Sequence, residues 1–349
     1  MKEPFIIAGP CSAESRDQIM VTAAAVQAAG AAIFRAGLWK PRTRPGTFEG
    51  VGEQGIAWLR EVRDSLGMRV CTEVACAAHV ESCLDAGLDC LWIGARTAAN
   101  PFQVQEIADA LKGSCIEVLI KNPVNPDIEL WAGDVERLRD AGIKDIVLVH
   151  RGFSPVTPLK YRNGPQWGIA VQMRSRFPEL PMLCDPSHIG GSREYVREIS
   201  QRALDLGMDG LMIEVHCNPD GALSDSRQQL STEEFAGLRG SLVARSSDSD
   251  NREYRDSIEM LRSRIDTIDE QLVGLLAERM NLSREIGKAK KDNNISIVQT
   301  SRWEEVLSNV REYAGRNSLD ADFVEDIFNC IHAESAGEQN KILGNDCKE

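Results

Sequence analysis

The chain has 349 residues, enough for one large domain and a small second one, and its formal net charge is −13 at pH 7. The negative charge argues against nucleic acid as a partner. The sequence shows no charged-then-apolar leader and no apolar run of about 18 residues, so neither secretion nor membrane insertion is predicted. The ten cysteines form no metal-type pairs and no small secreted scaffold, which favours reduced thiols in a cytoplasmic protein.

Eight short apolar runs, rich in Val, Ile and Leu, alternate with helical patterns in the first part of the chain. This pattern predicts an α/β fold, a (β/α)8 barrel over residues 1–243. An open, doubly wound sheet is the rival architecture, but no glycine-rich dinucleotide motif follows the first strand. The predicted strands are 5–11, 32–38, 68–74, 90–95, 117–121, 145–151, 181–185 and 210–216, and the clearest helices are 76–87, 101–113, 135–142 and 192–207.

Four residues with metal-ligating side chains fall at or beyond the ends of predicted strands one, seven and eight. In a closed barrel strand eight lies beside strand one, so these residues should converge at the mouth where such barrels carry their chemistry. A thiolate, an imidazole and two carboxylates suit manganese, iron, cobalt or zinc better than calcium or magnesium. The predicted ligands of one divalent ion are Cys11, His188, Glu214 and Asp225.

Each ligand also has a simpler interpretation. A cysteine in a strand is usually a small buried hydrophobe, a histidine often supports a loop by hydrogen bonds, and an aspartate often forms a turn. Glu214 is harder to dismiss because a buried carboxylate without a partner is costly. His216, on the same face as Glu214, is a competing ligand that ranks below His188.

Five basic side chains also follow or end predicted strands, at the same end of the barrel. Cations aimed at one mouth repel each other unless anions occupy it, so the mouth is predicted to bind phosphates or carboxylates. The alternative, that each cation pairs with a nearby acid, is favoured for any one of them and weaker for the whole set. The five residues are Arg35, Lys40, Arg96, Lys121 and Arg151.

Beyond residue 243 the sequence becomes a polar linker, 244–254, followed by a predicted all-α domain over 255–343 and a tail, 344–349. A helix over about 255–291 would be roughly 55 Å long, more than two short helices of the same chain can cover. A homodimer through this domain is therefore predicted, with a higher oligomer left open. The apolar seam of the helix is Ile258, Leu261, Ile265, Ile268, Leu272, Leu275, Arg279, Leu282 and Ile286.

Arg279 is a charged residue within that seam, where it needs an anion or a carboxylate. Lys290 lies about three turns further along nearly the same face, whereas Arg262 is turned aside and could serve a site only across a dimer. A structural ion pair of Arg279 with Glu285 or Glu325 is an equally weighted alternative.

The ordered motifs of residues 4–243 resemble the 3-deoxy-D-arabino-heptulosonate 7-phosphate (DAHP) synthases. They are Gly-Pro-Cys-Ser-Ala-Glu at 9–14, Lys-Pro-Arg-Thr at 40–43, Ile-Gly-Ala-Arg-Thr at 93–97, Ile-Lys-Asn-Pro at 120–123, His-Arg-Gly-Phe at 150–153, Asp-Pro-Ser-His at 185–188 and the stretch 213–230. The resemblance implies condensation of phosphoenolpyruvate with erythrose 4-phosphate, the entry to aromatic amino-acid synthesis.

By this similarity Arg96, Lys121 and Arg151 bind phosphoenolpyruvate, with Arg35 and Lys40 beside it. Arg42 and Thr43 receive the sugar phosphate, and Lys40 is the candidate for proton transfer because a lysine among cations can have a lowered pKa. The related 3-deoxy-D-manno-octulosonate 8-phosphate synthases are the alternative, but an Asn-rich loop is expected there instead of Lys-Pro-Arg-Thr. Arg44 departs from the small residue common in DAHP synthases.

Residues 255–340 resemble the all-helical chorismate mutases through Leu261-Arg262, the run 275–279 and the run 286–290. The resemblance implies rearrangement of chorismate to prephenate without metal or cofactor. It places Arg279, Arg302 and, from a second subunit, Arg262 on the substrate carboxylates. It places Lys290 and Gln339 on the ether oxygen.

Two positions depart from the mutase pattern. Gln299 and Trp303 stand where acids that would contact the substrate hydroxyl are expected, so mutase activity could be reduced or Glu304 could compensate. In a second hypothesis, the helical domain mainly dimerises the chain and senses chorismate or prephenate as a feedback inhibitor. This hypothesis draws on the first strand lying almost at residue 1, which leaves no room for a regulatory domain before the barrel.

Overall fold

The computed structural model describes residues 4–40, 46–155, 157, 159–245 and 251–344. The chain divides into two compact units, Met1–Ser247 and Asp248–Glu349. None of the helices in the described ranges is long and apolar enough to span a membrane.

The first unit is a closed barrel of eight parallel strands in sequential order, so the (β/α)8 prediction is confirmed and the open-sheet alternative is wrong. The ring closes where β1 pairs with β8, with Gly9 opposite Glu214. The strands are β1 Phe5–Gly9, β2 Ile33–Arg35, β3 Arg69–Val74, β4 Cys90–Ile93, β5 Glu117–Lys121, β6 Ile146–His150, β7 Met182–Cys184 and β8 Gly210–Glu214.

Several strands end one to three residues before their predicted ends. The overrun at β1 and β8 arises because the residues that follow are also buried: Cys11 and Val215 are 0% exposed and His216 is 4% exposed. Apolar character therefore continues past the last ladder position, and composition cannot distinguish a strand from a buried loop.

Nine helices lie within the described part of the first unit. Helix α5 begins seven residues before the predicted start at 135, because the Asp127 side chain accepts a hydrogen bond from the Leu130 backbone N–H (3.0 Å) and caps it there. The helices are α1 Arg16–Ala28, α2 Gln54–Leu66, α3 Ala77–Asp85, α4 Pro101–Ala110, α5 Ile128–Asp140, α6 Trp167–Arg176, α7 Pro186–Gly190, α8 Val196–Asp205 and α9 Thr232–Ser241.

The core of the barrel unit has two parts. One large apolar cluster lies between the strands and the helices, and a smaller one fills the barrel interior. The interior cluster consists of Ile7, Ile33, Cys71, Cys90, Trp92, Leu119, Val149, Leu183 and Met212. Every strand contributes one of these residues from within its bounds, and β4 contributes two, so the layer leaves no open pore.

The second unit consists of three helices, α10 Arg252–Asp292, α11 Thr300–Arg316 and α12 Ala321–Leu343, so the all-α prediction is confirmed. Helix α12 packs against both others. Small or polar side chains rather than bulky apolar ones are buried along α10, namely Ser283 and Gly287. The predicted apolar seam is largely exposed in the single chain, with Leu272 at 53% and Leu275 at 62%.

Candidate active site

A layer of charged side chains lies on the interior face of the barrel, directly above the interior apolar cluster. Side chains two residues apart in a strand share a face, so the residue two positions after an interior apolar one also points inward. In this chain that residue is charged on six strands or their immediate ends. The six are Arg35, Glu73, Lys121, Arg151, Asp185 and Glu214, all buried.

Three of the four predicted metal ligands form one cluster. Donor atoms of Cys11, Glu214 and Asp225 all lie within 4.8 Å of one another, and the Cys11 Sγ is 3.4 Å from Asp225 Oδ2. Burial, followed by the charge of Glu214, raises the pKa of the Cys11 thiol to about 12. A buried thiol facing two carboxylates is a poor arrangement for these groups alone, and a divalent cation would compensate it, so the donor set fits a metal ion.

His188 lies next to this cluster, with its Nε2 3.7 Å from Glu214 Oε1 and its Nδ1 2.8 Å from Asp185 Oδ2. Asp185 also caps α7 by accepting the His188 backbone N–H at 3.0 Å. Burial lowers the pKa of His188, which favours the neutral imidazole that a metal binds. A carboxylate on the far nitrogen is the usual device for aiming such an imidazole at an ion.

Arg35 forms an ion pair with an acid, and two of its guanidinium nitrogens have no hydrogen-bond partner in the described structure. Its Nη2 is 3.2 Å from Glu214 Oε1, and the guanidinium carbon lies 4.7 Å from the centre of the Trp92 ring. Its Nε and Nη1 are buried and have no hydrogen-bond partner within the described residues. The simpler interpretation, an ion pair, therefore accounts for only part of this side chain.

Lys40 differs from the expectation based on its charge. Its Nζ donates to the Cys11 backbone oxygen (3.1 Å) and lies 3.7 Å from Glu73 Oε2. Burial works to lower the pKa of Lys40, but the negative charges of Cys11, Glu73 and Glu214 outweigh burial and raise it. The expected lowering by neighbouring cations is therefore wrong, because the carboxylate closest to the Lys40 Nζ is Glu73, which sequence reasoning did not place there.

All five predicted cations line one cleft of about 250 Å³ at the barrel mouth, together with the metal-ligand candidates His188 and Asp225. Arg151 is held by Asn163, whose Oδ1 accepts from its Nη1 at 3.1 Å, and burial lowers the pKa of Arg151 to about 10. Lys121 pairs with Asp185 at 2.6 Å, and burial lowers its pKa. The predicted sugar-phosphate residues Arg42 and Thr43 lie outside the described residues.

Two residues of the β6 to α6 loop were missed by sequence reasoning. Arg162 donates from Nη1 to Asp225 Oδ1 (3.1 Å) and to Gln228 Oε1 (2.8 Å), on the side of Asp225 opposite Cys11. Asn163 bonds both Arg151 and the backbone oxygen of His188 (2.6 Å). These two residues connect Arg151 to the predicted metal ligands His188 and Asp225. No sequence pattern predicted these contacts, because both residues lie far along the chain from Asp225.

A second polar site lies between the helices of the second unit. The Arg279 Nη1 donates to Ser335 Oγ at 2.5 Å rather than to a carboxylate, and Glu325 instead pairs with Arg311. The Arg279 pairing with Glu285 or Glu325 is thus absent among residues 251–344. Lys290 donates to the Ile297 backbone oxygen, and the Gln339 Oε1 is buried without a partner in the described ranges.

The two remaining predicted cations of the helical unit are exposed. Arg302 pairs with Glu305 three residues further on (2.6 Å), and Arg262 lies on the solvent side of α10 in the single chain. Sequence reasoning missed Ser335, although a residue four positions before Gln339 shares its helix face.

The eight-stranded barrel, with buried cations beside a thiol and two carboxylates at its mouth, places the chain in the class of (β/α)8 enzymes. A model of the DAHP synthetase I family matches residues 2–247, and a model of chorismate mutase type II matches residues 261–340. The chain therefore belongs to the DAHP synthetase I family and carries a type II chorismate mutase domain after the barrel.

The individual relatives of the barrel bear two different names. The chain is 37% identical over 233 residues to phospho-2-dehydro-3-deoxyheptonate aldolase of Thermotoga maritima, covering 67% of each chain. The crystal structure of that protein shares 34% identity, with a TM-score of 0.61 over 68% of this chain and 67% of its own. A 2-dehydro-3-deoxyphosphooctonate aldolase of Pelobacter propionicus is 30% identical, covering 70% of this chain and 93% of its own.

Proposed function

We propose that the chain is a bifunctional enzyme of aromatic amino-acid synthesis, acting in the cytoplasm. Its barrel condenses phosphoenolpyruvate with erythrose 4-phosphate to DAHP and phosphate, and its helical unit rearranges chorismate to prephenate. The observation that carries the first activity is the cleft lined by five cations next to the cluster of metal-ligating atoms.

In the barrel, Arg96, Lys121 and Arg151 hold the phosphate and carboxylate of phosphoenolpyruvate, and the free donors of Arg35 face the same cleft. Cys11, His188, Glu214 and Asp225 would hold one manganese, iron, cobalt or zinc ion, whose chemistry is to orient and polarise the aldehyde. Arg42 and Thr43 receive the sugar phosphate.

The reaction joins carbon three of phosphoenolpyruvate to the aldehyde carbon, water adds at carbon two, and phosphate leaves by carbon–oxygen cleavage. The aldehyde oxygen becomes a hydroxyl and needs a proton. Lys40, whose raised pKa keeps its Nζ protonated, lines the cleft and is the candidate donor.

In the helical unit, Arg279 and Arg302, with Arg262 of the partner subunit, bind the two carboxylates of chorismate. Lys290 and Gln339 bind the ether oxygen, which can only accept, so Gln339 would contribute the N–H of its Nε2 amide. The rearrangement has one reactant, so the protein contributes by folding the dianion and stabilising the charge that develops on that oxygen.

Because the proposed mutase site needs Arg262 from a second subunit, the chain should form a homodimer. The exposed apolar stripe of α10 is the proposed contact. Leu272 and Leu275 are more than half exposed in the single chain, as expected for a helix that lacks its partner. A higher oligomer is left open.

The first test measures phosphoenolpyruvate loss with erythrose 4-phosphate and with arabinose 5-phosphate, each with and without a chelator. We expect turnover with the four-carbon sugar that is lost on thorough chelation and restored by Mn²⁺. Preference for the five-carbon sugar would favour the octulosonate synthase alternative, to which several relatives near 30% identity belong. Full activity after chelation would remove the metal role.

The second test separates catalysis from sensing in the helical unit. Chorismate turnover that is lost in Arg279→Ala supports a mutase. Tight prephenate binding by a wild-type chain without turnover, accompanied by inhibition of the condensation, supports the regulatory alternative.

A further inference from the structure

One face of α12 forms a continuous polar wall in the helical site. His332, Ser335 and Gln339 are spaced by three and four residues, which places them on the same side of the helix. Ser335 accepts the hydrogen bond of Arg279, and Gln339 packs against Gly287, where a built Cβ would lie 3.1 Å from the Gln339 Cγ. His332 therefore extends the surface that holds the proposed substrate residues.

The His332 ring is fixed in place by an aromatic neighbour on α11. Trp303 stacks on it with ring centroids 3.9 Å apart and an interplanar angle of 15°. The indole covers one face of the imidazole and leaves the ring edge, with its two nitrogens, free to bond. Within residues 251–344 no protein group hydrogen-bonds either nitrogen.

The charged groups that act on His332 are Arg279 and Lys290, both on α10. Partial burial and then these two cations lower the pKa of His332, so the ring is neutral near pH 7. A neutral imidazole offers one N–H donor and one acceptor nitrogen. It adds nothing to the attraction for a carboxylate but is well suited to a hydroxyl, which can both donate and accept.

We propose that His332, held by Trp303, is the residue that binds the ring hydroxyl of chorismate in this mutase site. The inference rests on the proposed mutase function and adds to it a specificity-determining residue. The two carboxylates and the ether oxygen of chorismate already have partners in Arg279, Arg302, Lys290 and Gln339. The hydroxyl is the polar group left over, and Trp303 itself has no carboxylate to offer it.

The experiment compares His332→Leu, which keeps volume but no polar atoms, with His332→Gln, which keeps a donor and an acceptor. Glu334→Gln, at an exposed position of α12, is the matched control. We expect kcat/KM for chorismate to fall about tenfold or more in His332→Leu and to stay within about threefold in His332→Gln. The phosphoenolpyruvate condensation of each variant, measured in the same sample, reports that the chain is intact.

The pH profile gives a readout that packing alone would not move. Wild-type kcat/KM should decline as pH falls through the lowered pKa of His332, because the imidazolium loses its acceptor nitrogen and repels Arg279 and Lys290. His332→Gln should lack that decline. A His332→Leu enzyme with wild-type kcat/KM, or a glutamine variant with an unchanged acid limb, overturns the inference while leaving the mutase function standing.

If the wild-type chain has no mutase turnover, binding takes its place as the test. Prephenate also carries a ring hydroxyl, and its binding can be followed by the fluorescence of Trp303, with Trp303→Phe as the blank. Weaker prephenate binding by His332→Leu supports the inference. Absence of both turnover and binding in the wild type would contradict the proposed mutase function, and this inference together with it.

Discussion

At the scale of single residues, Asp134 of α5 is a buried side chain outside both sites whose burial is energetically unfavourable. It is fully buried, and neither carboxylate oxygen has a hydrogen-bond partner in the described structure. Burial raises the pKa of Asp134 to about 8, against the small opposing effect of Arg137. The side chain is therefore held as a neutral acid near pH 7, at a cost to the barrel.

Asp134→Leu should stabilise the barrel by about 1–3 kcal/mol at pH 8, because it removes two unpaired buried oxygens. The folded-state pKa lies above the unfolded value, so the folded wild type retains a proton that the unfolded chain releases. Wild-type stability should thus fall as pH rises from about 4 to 8, and the variant should lack that slope. Thermal unfolding of the barrel across this range measures both, with Asp134→Asn as a non-ionising control.

Arg162 is expected to set the metal affinity without touching the ion. It holds one oxygen of Asp225 while the other faces Cys11, and despite burial, His188 and Arg162 hold the pKa of Asp225 well below its usual range. Arg162→Gln should weaken Mn²⁺ binding by roughly tenfold, measured by calorimetry on the metal-free protein. Arg176→Gln, which breaks an exposed pair with Glu129, should leave the affinity unchanged.

The sequence was informative about residues whose chemistry is unusual for their surroundings, such as Glu214 in an apolar strand. It was less informative about residues that support them. Asp185 lies within a recognised motif, yet its contact with Lys121 depends on the ends of β5 and β7 meeting at one mouth. Glu73 was overlooked for the same reason, and without it the pKa of Lys40 was expected to shift in the wrong direction.

At the scale of elements, the contact between α10 and α12 depends on a glycine. A Cβ at Gly287 would lie 3.1–3.2 Å from Gln339 and Ile342, whereas nothing lies within 4 Å of one at Gly274 on the same helix. Gly287→Leu should push α12 away and lower chorismate turnover by at least tenfold, with the condensation unaffected. Gly274→Leu should retain both activities, and equal losses in the two variants would contradict this account.

The apolar stripe of α10 supports a prediction about assembly. Leu272→Asp places a charge in the proposed dimer contact, so the chain should become monomeric by analytical ultracentrifugation and lose mutase turnover. Glu270→Lys, on the opposite face of the helix, should remain dimeric. A monomeric wild type would contradict the proposed dimer directly.

Some element boundaries follow from the apolar pattern of the sequence, whereas others depend on contacts that the pattern does not show. The length and heptad-like spacing of α10 were predictable because its seam repeats over many turns, and it begins at Arg252, three residues before the expected start. The start of α5 was missed because a capping bond of Asp127, not apolar periodicity, determines it. The ends of β1 and β8 were overrun because the loops beyond them are as buried as the strands.

At the scale of the whole molecule, the two activities should respond differently to metal removal. Exhaustive chelation should abolish phosphoenolpyruvate consumption and leave chorismate turnover within about twofold, because the proposed mutase residues are cations and amides that need no ion. Both rates can be followed on one preparation, and restoring Mn²⁺ should recover the first alone. Parallel loss of both activities would contradict the assignment of the metal requirement to the condensation alone.

The closure of the barrel has a consequence for how the protein is made. Cys11 precedes β2 and Asp225 follows β8, so these neighbours across the cleft are 214 positions apart in the chain. A growing polypeptide therefore carries the thiol through nearly the entire synthesis of the barrel before the last carboxylate leaves the ribosome. Capture of the proposed metal ion can therefore only be a late event, and it would link the first translated strand of the barrel to the last one.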